Sequence, residues 1–194
     1  SYLKAFLLYI GLTIFYWAVM CPFYAFVAQG KKGVKLYFLN IIPPTIMALA
    51  TSSSAACITI NLETARKMNI QDDVAETVIP LGATIHKNGS AFSFVIKICF
   101  LFALTGQSLV GENTLIILGV AMLGTTLVGA IPGGGMAGEI MICSMFGFNN
   151  TMLSIILLYA TIIDVPATVV NSNGNLMASM LVEKFVGKKT KKEP

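Results

Sequence analysis

Apolar residues run along this chain in long blocks, and most of the blocks are cut where a continuous membrane helix would not be. Tyr2 to Ala28 is almost wholly apolar and aromatic, long enough as a helix to cross a hydrocarbon core about 30 Å thick. A basic turn, Gly30 to Lys35, follows. Leu36 to Leu62 is apolar again, but Pro43-Pro44 and the polar run "TSSS" (Thr51 to Ser54) divide it. Neither arm reaches the roughly 20 residues a crossing helix needs. The pattern predicts a re-entrant helical hairpin over 36–62, its polar tip buried in protein or facing water. After the connector "ETARKMNIQDD", Val74 to Leu104 is long enough to span, yet "HKNGS" interrupts it, which predicts a broken transmembrane helix over 74–104. A second divided block, 114–146, is split by "GAIPGGG" and reads as a second hairpin. Leu153 to Val186 is a last transmembrane helix, polar in its middle, and 187–194 is a basic tail.

The order is hairpin, broken helix, hairpin, polar-centred helix: an internal structural repeat without a sequence repeat. Charge supports the layout. If each hairpin returns to the side it entered from, the basic clusters at Lys31, Lys32 and Lys35, at Arg66 and Lys67, and in the tail fall on one side. The two uncharged turns, "GQSLVGEN" and "GFNN", fall on the other. Basic loops mark the cytoplasmic face, which places the C-terminus in the cytoplasm. Repeats with discontinuous helices meeting near the midplane characterise secondary transporters.

Composition agrees. The 194 residues are 56% hydrophobic and 11% charged, against about 25% charged in soluble domains. This is an all-α integral membrane protein. The net charge of +4 resides in loops and tail, so it points to membrane orientation and not to nucleic acid. Cys21, Cys57, Cys99 and Cys143 lack CxxC spacing and read as small buried hydrophobes. The chain opens on Ser1 in mid-pattern, as the C-terminal part of a longer protein would.

The polar positions inside the apolar blocks carry the chemistry. Asp164, Thr168, Asn171 and Asn175 follow i, i+4, i+7, i+11 spacing and share one helix face. Such a stripe can simply join helices, but an aspartate at its head favours a ligand site. The hydroxyls of "TSSS" and the bare backbone of "IPGGG" add polar tips to the two hairpins. An intramembrane serine hydrolase is the enzymatic alternative. It fails for want of a GxSxG elbow and of more than one histidine, so no covalent chemistry and no cofactor are expected.

These motifs resemble a known family, the dicarboxylate/amino acid:cation symporters, which are glutamate-transporter-like. "TSSSAACITIN" looks like that family's serine-rich first hairpin, and "PLGATIHKNGSA" is similar to its "PLGATINMDGTA". "GAIPGGG" matches its second hairpin tip, and "DVPATVVNSNGN" its last-helix pattern, roughly "DxxRTxxNxxGD". The motifs keep family order and cover essentially the whole chain. The resemblance implies an elevator-type transport domain, plasma-membrane location, a homotrimer assembled through the N-terminal scaffold, and a substrate held between the hairpin tips. By position it implies a substrate pocket at Ser53, Ser54, Ser90, Ala167, Asp164, Thr168 and Asn171, with backbone at Ile131 and Gly135. Asp164 would meet a substrate amino group. Gly82, Thr84, His86, Asn88, Asn171 and Asn175 stand where the family ligates sodium, with Na+ possible at Gly82, His86, Asn88, Asn171 and Asn175.

The departures change the expected substrate and ion. The family's side-chain-gripping arginine is Ala167 here, and an acidic side chain desolvated without a guanidinium is costly, so a neutral amino acid is favoured over a dicarboxylate. Two sodium-site carboxylates are Asn88 and Asn175, which weakens the attraction for a bare cation. Lys87 is read as a tethered cation standing where an ion would sit, with His86 and Glu139 as partners in proton coupling. The coupling ion is therefore Na+ or H+. A membrane sensor that binds an amino acid without moving it is the alternative from another class.

Overall fold

The computed structural model describes residues 2–109, 112–129 and 134–186. Among them the structure is helical and contains no strand. The first apolar block forms α1 (Tyr2–Phe15), a π-helical turn (Tyr16–Met20) and α2 (Cys21–Asn40). The basic stretch that the sequence marks as a turn lies inside α2, beyond a kink at Gln29 and Gly30. Gly30 has φ +64°, a left-handed conformation that glycine adopts without Cβ strain. Just beyond it, Gly33 meets the Ala25 carbonyl too closely for any side chain.

Pro43 and Pro44 open α3 (Ile42–Thr51), where a fixed φ suits the first turn and the missing N–H is not needed. Ser52 ends it in a left-handed conformation, φ +48°. The Thr51 hydroxyl then accepts the Ser53 N–H, and the Ser53 hydroxyl the Ala56 N–H. This is how serine and threonine favour turns over continued helix. The chain returns as α4 (Ile58–Lys67), packed on α3.

The next apolar block is two helices, α5 (Asp72–Ile85) and α6 (Asn88–Thr105), separated by non-helical His86 and Lys87. Then come α7 (Glu112–Gly129) and α8 (Gly134–Phe146), packed on each other, and finally α9 (Asn150–Val186). The tip between α7 and α8, 130–133, and the tail from 187 onward lie outside the described residues. Three stretches are long and apolar enough to cross a bilayer: Leu3–Asn40, Asp72–Thr105 and Asn150–Val186. Large apolar side chains such as Leu7, Phe23, Leu115, Met122 and Leu158 are exposed on the outside, as contact with lipid allows.

The middle of α9 is polar because protein surrounds it on every side. Asn171 bonds to α6 and Ser172 to Asn61 of α4. Asn173 bonds to Thr45 of α3, and Asn175 to the Ile79 carbonyl of α5. Each amide would be costly to bury unpaired; paired, they tie four helices to one.

Candidate functional site

A cavity of about 620 Å³ opens where these elements converge. The α3–α4 turn contributes Ser52, Ser53 and Ser54. The α5–α6 break contributes Thr84, Lys87 and Ser90, with Lys97 two turns further along α6. Gly129, Gly135 and Glu139 come from α7 and α8, and Asp164, Ala167, Thr168 and Asn171 from α9. Of the positions marked for substrate, Ser53, Ser54, Ser90, Gly135, Asp164, Ala167, Thr168 and Asn171 all line this one space. Ile131 lies outside the described residues. The volume falls within the range of ordinary small-molecule sites.

Asn171 fixes the break in the α5–α6 segment. Its Oδ1 accepts the Gly89 N–H at 2.8 Å and the Ser90 N–H at 3.2 Å, and its Nδ2 donates to Ser90 Oγ at 2.9 Å. The amide thus satisfies donors that the start of α6 would otherwise leave open. From the other side the Tyr9 hydroxyl, buried, donates to the Gly89 carbonyl at 2.8 Å. A side chain on Gly89 would collide with the Ala167 backbone. Small residues at 89 and 167 let α6 and α9 touch.

The positions marked for cation coupling divide into two groups. Thr84, Lys87, Glu139 and Asn171 line the cavity. Lys87 Nζ donates to Ser54 Oγ at 2.9 Å, joining the helix break to the α3–α4 turn. Gly82, His86, Asn88 and Asn175 lie behind it. Asn88 Nδ2 donates to the Tyr16 hydroxyl at 2.7 Å and stands 3.3 Å from His86 Nε2. Asn175 Nδ2 is taken by the Ile79 carbonyl, but its buried Oδ1 has no hydrogen-bond partner, and neither does His86 Nδ1. That Oδ1 faces Gly82 so closely that a Cβ there would overlap it. Among the described residues no three His, Cys, Asp or Glu side chains gather as metal ligands.

Glu139 does not pair with Lys87. Its partner is Lys97, at 2.5 Å, and the same ammonium reaches Asp164 Oδ1 at 3.4 Å. Sequence reading passed over Lys97, although a signal was present: it is a lone lysine in an apolar run, seven positions after Ser90 and so on the same face of α6. Tyr9 and Tyr16, which look like ordinary aromatic filler in sequence, are hydrogen-bond donor and acceptor to the break.

Long apolar helices surround an internal polar cavity lined by two lysines and two carboxylates, as in a polytopic membrane protein. The chain belongs to the sodium:dicarboxylate symporter family, whose description matches residues 1–185; it sits among transporters and is not an enzyme. It is 29% identical over 190 residues to the serine/threonine transporter SstT of Streptococcus thermophilus, covering 95% of this chain and 47% of that one. It is 28% identical over 187 residues to SstT of Enterococcus faecalis, covering 94% and 44%. Similarity extends to the neutral amino acid transporter B(0) of Oryctolagus cuniculus, 26% over 157 residues, covering 80% and 29%. The chain thus spans less than half the length of these relatives.

Proposed function

We propose that this chain is the substrate-carrying part of a secondary symporter that moves a small neutral amino acid across the plasma membrane, coupled to Na+ or H+. The observation that carries the reading is the Asp164 carboxylate, 45% exposed into a cavity whose wall also carries serine and threonine hydroxyls, the Asn171 amide, the buried Lys97–Glu139 pair and Lys87. It is suited to a substrate ammonium, while Ser54, Ser90 and Asn171 offer hydrogen bonds to a carboxylate. Ala167 is buried at 3% exposure and brings no guanidinium for an acidic side chain. Relatives named for serine/threonine and for neutral amino acids support the neutral substrate.

In this reading α3–α4 and α7–α8 are the two re-entrant hairpins, the second acting as gate, and the carrier slides against a trimeric scaffold supplied by the rest of the protein. The C-terminus is cytoplasmic. The Lys87 ammonium acts as a tethered cation beside the hairpin turn, the unpaired Asn175 Oδ1 is an acceptor available to a mobile ion, and His86 is the group available for proton coupling. The test is uptake of labelled amino acids into proteoliposomes holding the full-length protein, with sodium and proton gradients imposed separately. Binding without uptake under either gradient would return the protein to the role of a membrane sensor.

A further inference from the structure

Lys97 and Glu139 are the most deeply buried charges on the cavity wall, at 2% and 1% side-chain exposure. They come from different elements, α6 and α8, and meet at 2.5 Å. Glu139 Oε2 has no hydrogen-bond partner among the described residues. Lys97 also touches Asp164, but at 3.4 Å. The unequal distances commit Lys97 to Glu139 and leave Asp164 open to a ligand. The other charged residue lining the cavity is Lys87, hydrogen-bonded to Ser54. Two ammonium groups and two carboxylates make the described lining formally neutral.

We infer that the Lys97–Glu139 pair sets the net charge that the ligand must carry, making it the specificity-determining element for uncharged over charged side chains. This rests on the proposed amino acid ligand at Asp164. A zwitterion with an uncharged side chain leaves the neutral cavity neutral. A basic or an acidic amino acid leaves one unbalanced charge in a poorly solvated space, which is disfavoured. Selectivity then comes from the penalty on the wrong ligand as much as from contacts with the right one. Removing one member of the pair moves the balance by one charge, in a direction that depends on which member is lost. Glu139 and Lys97 act on the ligand through the charge of the cavity, whether or not they touch it.

The test is a double-mutant cycle on the full-length protein purified in detergent, reading the affinities of L-serine, L-aspartate and L-ornithine. Wild type prefers serine. Lys97→Met leaves the cavity one charge more negative, and the ornithine-to-serine affinity ratio rises by about tenfold or more, the scale of one charge-assisted hydrogen bond. Glu139→Gln leaves it one charge more positive, and the aspartate-to-serine ratio rises to a similar extent. Lys97→Met/Glu139→Gln together restores the wild-type order. If one single variant does not fold, the other single and the double variant carry the comparison. Single variants that bind serine with unchanged preferences, or that shift in the same direction, overturn the inference and leave the pair a structural one. A wild-type protein that binds none of the three overturns the amino acid reading, and this inference with it.

Discussion

Asn171 and Ser90, 81 positions apart in the chain, are bonded twice: the Asn171 amide donates to Ser90 Oγ at 2.9 Å and accepts the Ser90 N–H at 3.2 Å. With the Gly89 N–H at 2.8 Å, one side chain holds the first turn of α6 open beside the cavity. The helix break is therefore maintained from α9 and not only by its own glycine.

Asn171→Ala strips three hydrogen bonds and strands two backbone N–H groups at a partly buried site. A buried unsatisfied donor costs about 1–3 kcal/mol, so unfolding free energy falls by about 2–4 kcal/mol, measurable as a lower midpoint in detergent. Asn171→Asp keeps an acceptor for both N–H groups and falls less. Equal losses in the two variants would mean that the clamp is not what the amide supplies.

Asp164→Asn separates binding from folding. The structural contact of Asp164 with its own helix uses the backbone carbonyl, which accepts the Thr168 hydroxyl at 2.8 Å; the side chain faces the cavity. A charge-assisted hydrogen bond contributes about 1.5–3 kcal/mol, so serine affinity falls by roughly tenfold to a hundredfold while the thermal midpoint changes little. Serine binding at wild-type strength in this variant would remove Asp164 from the site.

Sequence made the breaks legible and left the partnerships hidden. Proline, glycine and serine inside apolar runs announce chain interruptions because each is a poor continuation of a helix. That is why the α3–α4 turn and the α5–α6 junction could be placed from residues alone. The turn expected from Gly30 is compressed to a kink at its first residue: Gln29 and Gly30 leave helical geometry and divide α2 into two helical arms, the basic residues falling in the second. Lys97 is the opposite case. Its meaning lies in Glu139, 42 positions away, and no local pattern reveals that a second helix brings a carboxylate to it. The same holds for Tyr9 and Tyr16, whose hydroxyls reach residues 80 and 72 positions away.

Gly82 and Asn175 test the ground behind the cavity. A methyl group on Gly82 would overlap Asn175 Oδ1, and α5 and α9 are packed too closely to absorb it. Gly82→Ala should lower stability by about 1–3 kcal/mol, as overpacking does. Asn175→Ala vacates the space, so Gly82→Ala/Asn175→Ala should be less destabilised than the sum of the two single variants. Strict additivity, read by unfolding in detergent, would show that the two side chains do not compete for the same volume.

Lys87 carries the sharpest functional prediction. Its ammonium bonds Ser54 in the α3–α4 turn, and its stem runs close enough to Gly129 that a Cβ there would meet Lys87 Cε at 3.4 Å. One residue thus joins the helix break to the α3–α4 turn and abuts the end of α7. Lys87→Met keeps the stem and removes the charge. If the ammonium substitutes for a bound ion, proton-driven uptake in proteoliposomes falls to background in Lys87→Met, while Lys87→Arg retains part of it because a cation remains. Uptake that needs a sodium gradient and is unchanged in Lys87→Met would assign the coupling to a mobile ion and reduce Lys87 to a tether between the break and the α3–α4 turn.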